Sequence, residues 1–326
     1  MLRLVFMGSD AIALPALNWL AGSGVAQVVA VFTQPDRAAG RGQKVQANAI
    51  KLWARERHLP VLQPEKVGAG ERQQLADLKP DLTLVMAYGH ILKQDFISTP
   101  RLGTLNLHTS VLPQYRGASP IQSAIACGDS ETGVTLMRMV LALDAGPVAE
   151  VERVRIEALD TAAEVEAKLA DACVPLLARC LPAIAVGAHA FIEQEAAQAT
   201  FCRRLEKTDG VLDFAEPAEV LAARINGLNP WPGCAFAING QTVKLGLADA
   251  LPASATPGVV AGTDAGGLLV GTGQGTLRLR KLQRPGGRML SAGEFLRGFP
   301  VAPGTVLPSA PMPPLVGPVP FPRPRG

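Results

Sequence analysis

The residues best suited to chemistry fall in Gly103-Thr-Leu-Asn106-Leu-His108-Thr-Ser110-Val-Leu-Pro113-Gln-Tyr115-Arg116-Gly117. If residues 104 to 108 form a strand, alternation sets Leu105 and Leu107 on one face. Asn106 and His108 then share the other, about 6 to 7 Å apart. The carboxyl end of a strand is where an open α/β sheet receives its ligand, although a hydrogen-bonded structural Asn and His is the plain alternative. Further on comes Leu141-Ala-Leu-Asp144-Ala-Gly146-Pro, whose Asp would by itself be a turn residue. Folded back beside His108, Asp144 completes a set of imidazole, carboxylate and amide donor. That set suits attack of an amine on an acyl carbon, in which a proton leaves the amine and an oxyanion must be held. No covalent nucleophile accompanies it. Ser110 is not in a Gly-x-Ser-x-Gly elbow and the stretch holds no cysteine, which favours direct transfer over an acyl-enzyme. His90 also follows a strand and is a rival base, but it lacks an Asn-x-His pairing.

These residues need a scaffold, and the apolar pattern supplies one. Leu2 to Met7, Val28 to Phe32, Leu82 to Met86, Leu105 to His108 and Val134 to Val140 read as strands. Ile12 to Leu20, Ala47 to His58 and Thr161 to Cys180 read as helices. Strands alternating with helices imply β-α-β crossovers and a doubly wound, mostly parallel α/β sheet. The loop after the first strand, Gly8-Ser9-Asp10-Ala11-Ile12, has neither the Gly-x-Gly-x-x-Gly fingerprint nor a P-loop lysine, so NAD and ATP lose their main support. From Gly233 onward, short apolar runs (Ala235 to Ile238, Val243 to Leu247, Gly258 to Ala261, Leu268 to Gly271, Leu277 to Leu282) are cut by turns at the spacing of a small β-barrel or sandwich. The expected division is a catalytic domain at 1–188, a linker at 189–207, a β-barrel domain at 208–307, and a tail at 308–326 without packed structure. From Pro300 on, 10 of 27 residues are proline, a composition that does not build a core.

Composition sets the outer bounds. With 326 residues, 48% of them hydrophobic and 18% charged, the chain has ample core material and is not a disordered protein. Five scattered cysteines, with no Cys-x-x-Cys pair, argue against a disulfide framework or a zinc site. Asp10 interrupts the only signal-like run, and no uncharged apolar stretch reaches membrane-spanning length. A soluble cytoplasmic protein is expected. A net charge of +3 does not mark a nucleic-acid binder, so any basic footprint is local. Arg278-Leu-Arg280-Lys281-Leu-Gln-Arg284-Pro-Gly-Gly-Arg288 carries five cations and no acid, either a phosphate-binding patch or a solvated charged strand and turn.

Asn106-Leu-His108, Ser110-Val-Leu-Pro113, Arg116-Gly117-Ala, Pro120-Ile-Gln122, Thr132-Gly-Val-Thr135 and Leu143-Asp144-Ala-Gly146 together resemble the folate-dependent formyltransferase family. The resemblance covers about residues 2 to 307. It implies a formyltransferase-like Rossmann variant followed by the β-barrel, with Asn106, His108 and Asp144 as catalytic trio. It implies 10-formyltetrahydrofolate as donor, no metal, and a folate slot formed by Ser110, Val111, Leu112 and Pro113 with Met86, Tyr88 and Gly89. Thr33 to Lys44 looks like the insertion with which tRNA-acting members grip the acceptor end of initiator tRNA. Asn229-Pro230-Trp231-Pro232-Gly233 looks like the start of their β-domain. The implied partner is therefore initiator methionyl-tRNA, met by Arg37, Arg41, Lys44, Arg280, Lys281 and Arg284, on a monomer with no membrane association. Two positions depart from the family pattern: Val140 stands where an acidic residue is common, and Ala142-Leu-Asp144-Ala-Gly146 replaces Gly-Leu-Asp-Thr-Gly. Formylation of a small amine, and a non-catalytic RNA-binding protein on the same fold, are the competing readings.

Overall fold

A computed structural model describes residues 1–39 and 44–322. Its contacts divide the chain into two compact units that interleave in sequence: Met1–Arg116 with Gly133–Val154 and Ala167–Ala199, and Gly117–Thr132 with Arg155–Glu166 and Thr200–Gly326.

The sheet of the first unit has seven strands, β1 (Leu2–Gly8), β2 (Ala26–Phe32), β3 (Val61–Leu62), β4 (Leu82–Met86), β5 (Thr104–His108), β6 (Glu131–Arg138) and β7 (Val148–Arg155), in the order β7-β6-β5-β4-β1-β2-β3. β1 pairs parallel with β2 and β4, and β4 with β5, while β6 runs antiparallel to β5. All five residues of β4 are buried, which is why, Thr83 apart, it is apolar throughout rather than alternating. Helices α1 (Leu14–Gly22), α2 (Ala49–Glu56) and α3 (Ala69–Asp77) follow β1, β2 and β3. α2 is capped by Asn48, whose Oδ1 accepts from Lys51 N at 3.0 Å. A longer helix, α4 (Ala162–Ala185), follows β7.

From β1 the chain steps out to β2 and β3, then returns to the other side of β1 as β4 and β5. The order reverses between β1 and β4, so a crevice opens at their carboxyl ends. Gly8 ends β1 there because a Cβ would run into the Met86 carbonyl and the Phe6 ring. Gln34 Nε2 reaches the Tyr88 carbonyl across the mouth at 3.1 Å.

The second unit holds the antiparallel strands β8 (Cys234–Ile238), β9 (Gln241–Leu251), β10 (Val260–Thr263), β11 (Leu268–Gly271) and β12 (Thr276–Gln283), in the order β8-β9-β12-β11-β10. Helix α5 (Ala218–Gly227) buries Leu221 and Ile225 against this sheet's core. Such a barrel-like antiparallel domain is what the turn spacing predicts.

The tail departs from expectation. Instead of lacking packed structure after Leu307, it puts Leu315 into the core of the second unit, 5% exposed, and pairs Val316–Gly317 antiparallel with Phe201–Cys202. The physical reason lies in what proline keeps. It has no N–H to donate but retains its carbonyl, and arginines supply the missing donors: Arg224 Nη2 to Pro313 O at 3.0 Å and Arg203 Nε to Pro314 O at 3.0 Å.

Candidate active site

β5 presents its residues as alternation requires. Leu105 and Leu107 are buried on one face, and Asn106 and His108 occupy the other. Asn106 is half-buried, and its side-chain amide bonds to no described residue. His108 is 6% exposed, with Nε2 3.0 Å from the Tyr115 carbonyl oxygen. A carbonyl only accepts, so Nε2 carries the proton and Nδ1 is left for other business. Nδ1 lies 3.8 Å from Asp144 Oδ2, too long for a direct hydrogen bond, with the carboxylate facing the ring.

The loop after β5 takes its shape from two hydroxyls. Ser110 Oγ donates to Gln114 O at 2.6 Å, and Thr135 Oγ1 on β6 donates to Ser110 O at 2.6 Å while accepting from Leu112 N at 3.1 Å. Ser110 is fully buried and Leu112 nearly so, whereas Val111 and Pro113 are half-buried. Across the crevice, the Met86 and Tyr88 side chains turn inward. Ala87 and Gly89 are exposed at positive φ, 49° and 82°. This segment therefore offers backbone rather than side chains. The Tyr88 hydroxyl and His90 Nε2 are buried without a hydrogen-bond partner, their rings edge-on at 5.0 Å. Burial pushes the Tyr88 hydroxyl pKa up. Among the described residues His90 has no carboxylate partner like that of His108, which weakens it as a rival base.

Asp144 adopts the left-handed region at φ 47°, uncommon for a residue with a side chain but most tolerated by Asp and Asn. Two features hold it there. Gly146 passes so close to the Arg138 carbonyl that a Cβ would collide with it. Gln194 Nε2 donates to Asp144 O at 2.9 Å and Gly146 O at 2.7 Å, while its Oε1 accepts from Arg116 Nη2 at 2.7 Å and Nε at 3.1 Å. Burial lowers the pKa of Arg116, and the Asp144 carboxylate works against that shift. Tyr115, Thr135 and Gln194 were not singled out by sequence reasoning. Thr135 and Tyr115 lie within motif stretches, but nothing local marks Gln194.

The basic residues separate into two kinds. Arg37 is exposed, in a hairpin of Arg37–Ala39 with Lys44–Gln46; Arg41 lies outside the described residues. Asp36, the one acid beside them, is held by Lys51 Nζ at 2.5 Å and Gln63 Nε2 at 2.9 Å, and these bonds keep its carboxyl below the usual range. In the second unit, Arg280 is paired with Asp249 at 3.0 Å, and Arg278 with Asp249 at 2.6 Å and Asp264 at 3.0 Å. Lys281 is exposed and lines a cavity of about 360 Å³ with Lys244, Gln283 and Asn229. Arg284 is exposed and donates to Gly298 O at 3.2 Å.

Comparison with known proteins identifies the family. The Formyl transferase family matches residues 3–181, and its C-terminal domain matches residues 204–300. The chain is 41% identical over 309 residues to a methionyl-tRNA formyltransferase of Pseudomonas savastanoi pv. phaseolicola, covering 94% of this chain and 98% of that one. It is also 41% identical over 315 residues to a methionyl-tRNA formyltransferase of Burkholderia thailandensis, covering 93% and 96%. Among solved structures, a sugar 3N-formyl transferase, WlaRD, crystallised with dTDP and 5-N-formyl-THF shares the fold. Its TM-score is 0.64 at 16% identity, over 86% of this chain and 97% of that one. The chain belongs to the formyl transferase family. Within it, the curated relatives of about 40% identity over nearly the whole chain are methionyl-tRNA formyltransferases.

Proposed function

We propose that this chain transfers the formyl group of 10-formyltetrahydrofolate to the α-amino group of methionine esterified to initiator tRNA, as a cytoplasmic enzyme of translation initiation. The observation that carries the mechanism is the buried His108, held by the Tyr115 carbonyl on one nitrogen and facing Asp144 with the other, beside an Asn106 amide that bonds to no described residue. The amine attacks the formyl carbon directly. Asn106 and His108, in its protonated form, hold the oxyanion, and the Asp144 carboxylate orients the imidazole and offsets its charge. The bond from the formyl carbon to the folate nitrogen breaks as the amide bond forms, and on balance one proton passes from the amine to the departing nitrogen.

The donor's flat ring system fits a slot between the Ser110–Pro113 loop and the backbone of Met86–Gly89, with Val111 and Leu112 as apolar wall. Asp36, the acid of this stretch, is engaged by Lys51 and Gln63, and Arg37 is paired with no described acid; together with Arg41 and Lys44 of the same stretch, that suits a phosphate backbone. Incubation with 10-formyltetrahydrofolate and charged initiator tRNA should yield formylmethionyl-tRNA. Formylation of a small amine with charged tRNA left untouched would assign the chain to the small-amine branch of the family, and transfer to neither would favour the binding-only reading.

A further inference from the structure

We propose that Gln194 is a positioning residue for the transfer reaction: the segment between the two family domains acts as a strap that holds Asp144 against His108. Gln194 lies between the family matches that end at 181 and begin at 204, in a stretch whose sequence suggests only a linker. In the structure the stretch is built into the first unit. Ile192 and Val148 exchange backbone bonds of 2.8 Å, His189 Nε2 lies 3.2 Å from Ala149 O, and the Arg138 guanidinium sits 4.0 Å over the Phe191 ring.

Gln194 is the strap's contact with the chemistry. Both of its amide hydrogens go to carbonyls of the loop, Asp144 O and Gly146 O, and its oxygen receives the fork of the buried Arg116. A primary amide is the side chain that does both, donating twice on one end and accepting on the other. A non-glycine residue at φ 47° drifts toward commoner backbone angles unless its surroundings over-determine it. Without the two donors, the loop loses the side-chain bonds that fix the Asp144 backbone, and with it the 3.8 Å placement of the carboxylate from Nδ1. Arg116 adds a buried cation whose charge acts on Asp144, so Gln194 also fixes where that cation sits.

The role rests on the formyl-transfer reading for its kinetic consequence, but not for its structural one, and the test separates the two. Gln194→Met keeps length and loses every bond; Gln194→Glu keeps the acceptor for Arg116 and loses the donors. Both should fold, with an unchanged far-ultraviolet spectrum. Amide exchange in peptides covering 141–147 should speed up about tenfold or more, and turnover should fall about 10- to 100-fold with both Michaelis constants within about twofold of wild type. In an Asp144→Asn background, Gln194→Met should cost less than about twofold further, because it acts through that carboxylate. Unchanged exchange over 141–147, or losses that multiply in the double variant, would overturn the inference. A wild-type protein inactive on charged tRNA would overturn the substrate reading instead, and the exchange measurement would still decide the strap.

Discussion

Because Nε2 of His108 is taken by the Tyr115 carbonyl, only Nδ1 can serve the reaction, and the space between Nδ1 and Asp144 is where charge must be managed. Asn106→Ala should lower turnover about 100- to 1,000-fold by removing an oxyanion donor. Since the amide has no partner to orphan among the described residues, the denaturant midpoint should hold, a combination that separates catalysis from stability. Asp144→Asn isolates the charge, because Asn tolerates the same left-handed backbone. It and His108→Ala should each cost a comparable factor, with the double variant losing less than the product; a steady-state double-mutant cycle measures this, and additive losses would leave Asp144 as a turn residue. The sequence makes half of this geometry legible. Period-two alternation alone sets Asn106 and His108 on one face, whereas the return of Asp144 depends on Gly146 meeting the Arg138 carbonyl and on Gln194. The first closes a short loop through the space a Cβ would need, and the second joins residues 48 and 50 apart; no period-two or helical pattern carries either.

Elements that bury a continuous run announce themselves, as Leu82–Met86 and Leu268–Gly271 do, each found with the bounds that the apolar run sets. α3 escapes such reading because it buries Leu75 alone and so has no apolar stripe. The tail misleads for the opposite reason: its composition describes an unpacked chain, while its carbonyls and Leu315 find partners 100 residues or so away in sequence. Leu315→Ala should therefore cost about 2 to 4 kcal/mol in urea unfolding; no measurable change would mean that the tail packs only loosely. Pairing across strands shapes the β-domain in a similar way. Burial raises the Asp249 carboxyl, but the bonds from Arg278 and Arg280 outweigh it and hold the pKa below the ordinary value of 3.8. A depressed carboxylate stabilises the fold above that ordinary value and loses the contribution as pH falls below it toward the folded-state pKa. Asp249→Asn should thus destabilise at pH 7 by about 1 to 3 kcal/mol and flatten the loss of stability as pH falls below the ordinary carboxylate value of 3.8, as read by denaturation at each pH.

At the scale of the whole molecule, a net charge of +3 leaves any grip on tRNA to unpaired local cations. Counting along the chain treats Arg278, Arg280, Lys281, Arg284 and Arg288 as equals, yet Asp249 on β9 and Asp264 in the turn after β10 neutralise the first two. Lys281 is paired with no described acid, and Lys244 joins it at the same cavity. A cation already bonded to a carboxylate releases few counterions from a phosphate, since it must first give up its partner. Lys281→Ala should raise the Michaelis constant for charged tRNA and reduce the slope of its logarithm against the logarithm of salt by about 0.9 or less, one phosphate contact. Neutralising Arg41 and Lys44 together should remove roughly two such contacts. Arg280→Ala should leave the slope alone and lower stability instead, while the folate constant stays constant in all three. If Arg280→Ala flattens the salt dependence as much as Lys281→Ala does, Asp249 yields its partner to the nucleic acid, and the carboxylate clamp is a gate for binding rather than a fixture of the β-domain.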